Sequence, residues 1–187
     1  MTRYAALLRG VNVNGITITS AELKALFTEL GFTGVKTVLA SGNVLFETGP
    51  DATGPDAGAP DAPGHAVLKR TIEQALRERF GYDAWIVLVE HADLAAIAAG
   101  YPFDETEELQ PYVVFTSEAA VAEEIVAHAA EPDATSHGER ALPGAGVVYW
   151  ELPKGSSTHT ALAKYLAKAR FKATTTTRNL RTLRKLL

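Results

Sequence analysis

Three short polar clusters contain the residue types best suited to bind a ligand. The first, residues 9–15 (RGVNVNG), follows an apolar run; the second is residues 41–44 (SGNV); the third is residues 176–182 (TTRNLRT). Arginine binds carboxylates and phosphates through a rigid fork of donors. Glycine lets backbone N–H groups approach a ligand, and asparagine tolerates the left-handed conformations of tight turns. These clusters therefore indicate sites for an anion.

The first cluster has the glycine spacing of a phosphate-binding P-loop but not its lysine. Gly10 and Gly15 stand at the two glycine positions, and Ile16 occupies the position of the lysine. Without that lysine no side chain reaches the terminal phosphates of a nucleoside triphosphate. We therefore predict that this segment is not an NTPase loop.

Motifs for metal binding and nucleophilic catalysis are missing from the sequence. The chain has no cysteine, its five histidines show neither HxH nor HExxH spacing, and no GxSxG elbow occurs. Four carboxylates crowd one segment, Asp104–Glu108, which indicates a solvated acidic loop rather than an acid–base pair. We expect no metal and no cofactor, and the sequence identifies no catalytic residue.

The order of predicted elements in the first half is β-α-β-β-α-β. Strands are predicted at 3–9, 35–38, 43–47 and 84–89 from short apolar or alternating runs. Thr19 and Glu22 have capping-box spacing, and apolar residues at helical spacing follow up to Leu30. A second helix is predicted around 68–80, closed by Gly81, and a short helix over 93–99.

The second half repeats this order. Strands are predicted at 111–116, 139–142, 146–151 and 171–176, with Ser117 as the N-cap of one helix and 158–169 as another. A last helix is predicted over 178–187, with Leu180, Leu183 and Leu187 on one face.

These patterns predict an α+β fold of two ferredoxin-like (βαββαβ) subdomains with an extra C-terminal helix. The predicted domains are residues 1–90, a connecting helix and acidic loop over 91–110, and residues 111–187. Residues 49–64 repeat Pro-Asp-Ala and have no large apolar side chain, so we expect a surface loop that contributes little to stability. The N-terminus lacks a signal peptide and no apolar run reaches about 18 residues, which predicts a cytoplasmic protein without membrane association.

Charge is distributed unevenly along the chain. Nine basic residues and no acidic one follow Glu151, whereas the rest holds all 22 acidic residues and the other nine basic ones. This basic tail either meets an acidic partner, such as nucleic acid, or packs on the acidic body of the protein.

The three clusters also carry a family resemblance. The segments RGVNVNG, SGNVLFE and TTRNLRTLRKLL resemble the bacterial family known as domain of unknown function 1697. The resemblance implies two ferredoxin-like subdomains and no established activity. Two positions depart from the family pattern: Asn14 stands where glycine is usual, and Leu180 where tryptophan is common.

Four functions remain open at this point. The leading prediction is a protein that binds an anionic small molecule, a nucleotide or a phosphorylated or carboxylated metabolite, between the glycine-asparagine loops and the C-terminal helix. The alternatives are weak, non-specific nucleic-acid binding through the tail and a protein–protein interaction module without catalysis. An enzyme would hold its anionic substrate with Arg9 or Arg178 and orient it with Asn43.

We predict that the binding residues line a single pocket. In a split βαβ unit the end of the first strand lies beside the start of the third, and the start of the last helix favours an anion. The predicted lining residues are Arg9, Asn12, Ser41, Asn43, Arg178 and Asn179.

Overall fold

The computed structural model describes residues 1–11, 17–39, 42–49, 63–81, 83–131 and 138–187. The chain divides into two compact units, one of residues 1–94 with 185–187 and one of residues 95–184. Within the described ranges, no helix has both the length and the apolar character needed to cross a membrane.

The first unit is a four-stranded antiparallel sheet with two main helices on one face. Its elements, in chain order, are β1 (Thr2–Arg9), α1 (Ser20–Glu29), β2 (Thr33–Thr37), β3 (Asn43–Thr48), α2 (Pro63–Phe80) and β4 (Trp85–Glu90). The next helix, α3 (His91–Ala99), begins in the first unit and ends in the second. The strand order is β2-β3-β1-β4. Because strand side chains alternate between faces, Tyr4, Ala6 and Leu8 of β1 pack against the core residues of α1 and α2.

The second unit has the same arrangement. It contains β5 (Leu109–Thr116), α4 (Ala119–Ala129), β6 (Arg140–Pro143), β7 (Val147–Pro153), α5 (Ala161–Leu166), β8 (Thr175–Asn179) and α6 (Leu180–Arg184). The strand order β6-β7-β5-β8 repeats that of the first sheet. Val114, Val148 and Trp150 form the core with apolar residues of α4 and α5.

Both sheets have the strand order of a split βαβ unit, so the predicted α+β fold class with two ferredoxin-like units is confirmed. The capping box is also confirmed: Thr19 Oγ1 accepts from Glu22 N at 3.2 Å, and Glu22 Oε2 accepts from Thr19 N at 2.8 Å. The predicted domain boundaries, 1–90, 91–110 and 111–187, stay a prediction.

The end of the chain differs from the prediction. The closing strand is Thr175–Asn179, not 171–176, and Phe171 lies in a short 3₁₀ turn with its ring buried in the core. The last helix is Leu180–Arg184 and does not begin at Arg178, because Arg178 and Asn179 pair with Val113 and Tyr112 of β5. Arg178 and Asn179, which the sequence analysis placed at the start of the last helix, therefore belong to the closing strand of the sheet.

Two other helix starts were also predicted wrongly. Glu118, not Ser117, holds the N-cap position of α4, and its side chain makes no capping bond. The helix predicted over 158–169 is shorter, since Thr160 caps α5 by accepting from Ala163 N at 3.2 Å. Of the loop predicted over 49–64, residues 50–62 lie outside the described residues, and α2 already begins at Pro63.

Candidate functional site

Arg9 is the last residue of β1 and is half-buried. It lies opposite Trp85 of β4 and, by strand alternation, on the sheet face opposite α1 and α2. Burial lowers the pKa of the Arg9 guanidinium below its usual value. Part of the hydration of the guanidinium has therefore already been removed by the fold.

Asn43 is the first residue of β3 and is fully buried. It lies opposite Leu7 of β1, so the start of β3 is beside the end of β1. Its side-chain Nδ2 donates to the carbonyl of Val38 at 2.9 Å, and its own carbonyl accepts from Val38 N at 2.9 Å. The Asn43 amide therefore holds the connection between β2 and β3 in place.

The backbone at the end of β1 and the backbone just before β3 lie close together at Leu8 and Gly42. Leu8 N donates to the carbonyl of Gly42 at 2.8 Å. Gly10 and Gly42 have φ of +78° and +69°, in the region that favours glycine. A Cβ at Gly42 would lie 2.9 Å from Leu8 Cβ, so this close approach requires glycine. Asn12 and Ser41 belong to these connections and lie outside the described residues.

Arg178 lies in β8 of the second unit and is only 8% exposed. Its Nη1 donates to Thr176 Oγ1 at 2.7 Å and to the carbonyl of Thr177 at 2.9 Å. Burial lowers its pKa to about 10, so the guanidinium stays charged at neutral pH. This residue has the character of an internal cation held by strand hydroxyl and carbonyl groups.

Asn179 has a local structural role. Its Oδ1 accepts from Arg181 N at 2.9 Å and thereby caps the first turn of α6. Successive side chains of a strand point to opposite faces, so Asn179 and Arg178 face different sides of β8. With five residues, α6 does not supply the extended helix start on which the predicted anion site depended. That the six predicted residues line one pocket stays a prediction.

Two residues with unusual surroundings were not singled out by the sequence analysis. Leu39 has φ of +59° although it is not glycine, and its side chain is 45% exposed. Glu90, at the end of β4, has a buried Oε1 that accepts no hydrogen bond from the described residues. A left-handed leucine cannot be read from sequence, whereas a carboxylate closing the apolar run WIVLV was visible.

At least one cation of the basic tail forms an ion pair within the second unit. Arg184 binds both carboxylate oxygens of Glu105, in the acidic segment after Pro102, with Nη1–Oε2 at 3.1 Å. This contact lowers the pKa of Glu105 and raises that of Arg184. Among the described residues, no group of three or more histidine, aspartate and glutamate side chains is placed to hold a metal ion.

Comparison with known proteins gives a family and a structural relative. A family model described as "Protein of unknown function (DUF1697)" matches residues 1–149. The solved structure of the conserved bacterial protein SP0830 from Streptococcus pneumoniae is similar, with 26% identity and a TM-score of 0.72. The similarity covers 100% of this chain and 96% of that one. No curated protein matches the sequence.

Proposed function

We propose a function for this chain, which belongs to the DUF1697 family of proteins of unknown function, from the geometry of its own residues. It binds an anionic small molecule, a nucleotide or a phosphorylated or carboxylated metabolite. The charged anchor is Arg9, at the edge of the first sheet where β1 ends and β3 begins.

The observation that carries this proposal is the position of Arg9 at the end of β1, between Gly10 and Leu8, whose N–H donates to the carbonyl of Gly42. Arg9 is half-buried with a lowered pKa, and Gly10 and Gly42 keep the neighbouring backbone segments close together. A partly desolvated guanidinium forms stronger charge-assisted hydrogen bonds than a fully hydrated one. Glycine backbone beside it gives an anion access to N–H donors.

The experiment is a thermal-shift panel of nucleotides, sugar phosphates and dicarboxylates on the wild-type protein and two variants. A ligand at about 100 times its dissociation constant adds about 2.7 kcal/mol of stability. We expect Arg9→Gln to abolish this gain. The matched control is Arg3→Gln, which removes an exposed arginine from the opposite end of the same strand and should keep the gain.

A panel without any shift would contradict the proposal and favour the interaction module. A shift that Arg9→Gln and Arg3→Gln reduce equally would show only a general charge effect.

Cytoplasmic localisation belongs to the same proposal, since phosphorylated metabolites are abundant there.

Nucleic-acid binding through the basic tail remains the second candidate, and the contacts of the tail residues bear on which of them would carry it. Arg184 is paired with Glu105, and Arg178 is buried. Four exposed lysines in the second unit form no ion pair within the described part of the chain, and they are Lys154, Lys164, Lys168 and Lys172. These lysines are available for phosphates, and so are Arg181 and Lys185, which are also exposed and form no ion pair within the described part of the chain.

The test measures binding of a labelled DNA duplex against salt concentration. Four neutralised phosphates would give a slope of about −3.6 in log affinity against log salt. Changing the four lysines to glutamine should flatten that slope, whereas Arg184→Gln, at an arginine already paired with Glu105, should change it little. Binding that does not depend on salt, or that survives the fourfold variant, removes this candidate.

A further inference from the structure

An imidazole ring lies flat on a tyrosine ring in the second unit. His128, near the end of α4, and Tyr165 of α5 have ring centroids 3.6 Å apart and an angle of 23° between their planes. Tyr165 is only 9% exposed, whereas the His128 side chain is 23% exposed. Among the described residues, no second ring stacks on His128. His128 is therefore the outer, partly accessible ring of this stacked pair.

Hydrogen bonds hold both rings in place. The Tyr165 hydroxyl donates to Glu124 Oε1 at 2.8 Å and accepts from Arg170 Nη2 at 2.7 Å. His128 Nδ1 lies 3.2 Å from Glu131 Oε2 and is the donor of this bond, since a carboxylate only accepts. Because both rings are already oriented, a further ring that stacks on His128 loses little conformational entropy on the protein side.

Two exposed cations lie beside the stacked pair. The Lys168 ammonium is over the Tyr165 ring, 4.3 Å from its centroid, and the Arg170 guanidinium carbon is 5.3 Å from the same centroid. Lys168 is exposed and forms no ion pair within the described part of the chain. Arg170 pairs with Glu124, yet its side chain is 54% exposed. A flat ring and cationic groups thus occur together on one surface.

This combination fits a single strand of nucleic acid. Such strands bind where flat side chains, histidine among them, stack on bases and where cations contact phosphates. Residues 164–172 (KYLAKARFK) contain four cations and no acidic residue, although the whole chain has a net charge of −4. The bases of a duplex stack on one another, so only an unpaired base can offer its face to His128.

We propose that this surface binds single-stranded nucleic acid without sequence preference. One base stacks on the outer face of His128, and neighbouring phosphates contact Lys168 and Arg170. The inference rests on the nucleic-acid candidate above and adds to it the form of the strand and the place of contact. It is independent of the Arg9 site.

The experiment compares two labelled probes of equal length and charge, a deoxythymidine oligomer and an abasic deoxyribose-phosphate oligomer. Affinities are measured by fluorescence anisotropy at one salt concentration for the wild type, His128→Ala and His128→Phe. We expect the wild type to bind the thymidine oligomer about fivefold more tightly, as for one stacked base. His128→Ala should remove this difference and leave the abasic probe unchanged. His128→Phe keeps a flat ring and should retain the difference.

Two further variants separate stacking from charge. His159→Ala removes an exposed histidine of the same unit, whose Nδ1 is 3.0 Å from Thr158 Oγ1, and should change neither affinity. Lys168→Gln should weaken both probes by the same factor, because they carry the same phosphates. Unchanged binding of the abasic probe by His128→Ala also shows that this variant is folded.

Three results would overturn the stacking role of His128: equal affinity of the wild type for both probes, equal weakening of both by His128→Ala, and a loss in His128→Phe as large as in His128→Ala. If the duplex of the salt titration binds and neither single strand does, this inference is wrong and the nucleic-acid candidate stands. If no nucleic acid binds, both fail, and the anion panel still decides the function proposed for Arg9.

Discussion

Glu90 has a carboxyl group in surroundings that disfavour its charge. It closes β4 opposite Tyr4, and its Oε1 is buried without a hydrogen bond from the described residues. Burial raises the pKa of Glu90, and the negative charge of Asp93 raises it further. The pKa of Tyr4 is raised by its own burial and by Glu90. Ionised Glu90 therefore opposes folding.

This environment predicts how stability depends on pH. A carboxyl whose pKa is higher in the folded than in the unfolded state binds its proton more tightly when folded. Its stabilising effect is complete below the unfolded pKa, about 4.3, and is lost as the pH rises through the folded value. We expect Glu90→Gln to be more stable than wild type at neutral pH and the difference to vanish towards pH 4. Urea unfolding between about pH 4 and 8 measures this.

The control for Glu90 is Glu123→Gln, on the exposed face of α4. It removes the same charge from solvent and should leave the pH profile of unfolding unchanged. A profile for Glu90→Gln that runs parallel to wild type at every pH would show that Glu90 is solvated in solution.

Gly144 is required by the packing of the β6–β7 turn. A Cβ there would lie 2.5 Å from Tyr149 Cε2. Tyr149 is buried, and its hydroxyl donates to the carbonyl of Ile97 at 2.9 Å, so the ring has little freedom to move. We expect Gly144→Ala to reduce the free energy of unfolding by about 1–3 kcal/mol. Gly49→Ala, where no atom lies within 4 Å of the new Cβ, should be close to neutral in the same denaturant titration.

At the scale of elements, α5 is anchored by a buried carboxylate. Glu139 is 5% exposed and precedes β6. Its Oε1 accepts from Leu162 N at 3.2 Å, in the first turn of α5, and its Oε2 accepts from Trp150 Nε1 at 3.0 Å. One side chain thus joins the start of a helix to the central part of β7. Thr160 adds the N-cap bond.

Glu139→Gln tests the contribution of these two hydrogen bonds while keeping the shape of the side chain. A glutamine offers one acceptor oxygen to two N–H donors and turns its NH₂ group towards the other donor. We expect a loss of about 1–3 kcal/mol in the free energy of unfolding, because a buried donor is left unsatisfied. Denaturant unfolding followed by tryptophan fluorescence reports it, with Glu107→Gln in the exposed acidic loop as control. An unchanged midpoint would mean that another group accepts from Leu162 or Trp150.

At the scale of the whole molecule, the first unit includes the last three residues of the sequence. Residues 185–187 group with residues 1–94. Leu186 is 1% exposed, and its carbonyl accepts a hydrogen bond from His91 Nε2 at 2.9 Å. A segment more than 90 residues away along the chain therefore contributes to the first unit.

The adjacent residues Leu186 and Leu187 provide a matched test of whether the end of the chain packs in the first unit. Leu186→Ala removes a buried side chain and should cost about 2–5 kcal/mol. Leu187→Ala changes a side chain that is 53% exposed and should cost little. Chemical denaturation of both variants measures the difference. Equal midpoints would show that the last residues are not packed in solution.

The features of the candidate site that follow from the order of the strands could be predicted from the sequence. Those that depend on which residues pair between strands could not. The antiparallel arrangement of a split βαβ unit predicts that the end of β1 and the start of β3 are neighbours, as Leu7 and Asn43 are. Arg178 was predicted to open a helix, but pairing with Val113 in β5 makes it a buried strand residue. The left-handed backbone of Leu39 had no signal in residue type.

Local sequence was sufficient for the elements and their order. Capping spacing at Thr19 and Glu22, periodic leucines and glycine stops act over three or four residues, and they agree with α1 as it is observed. The start of α6, the burial of Arg178 and the place of Leu186 depend on contacts between residues far apart in the chain. Backbone hydrogen bonds to β5 outweigh the weak helix propensity of residues 178–179. Propensities of a few tenths of a kcal/mol per residue set local structure only where such long-range bonding does not compete.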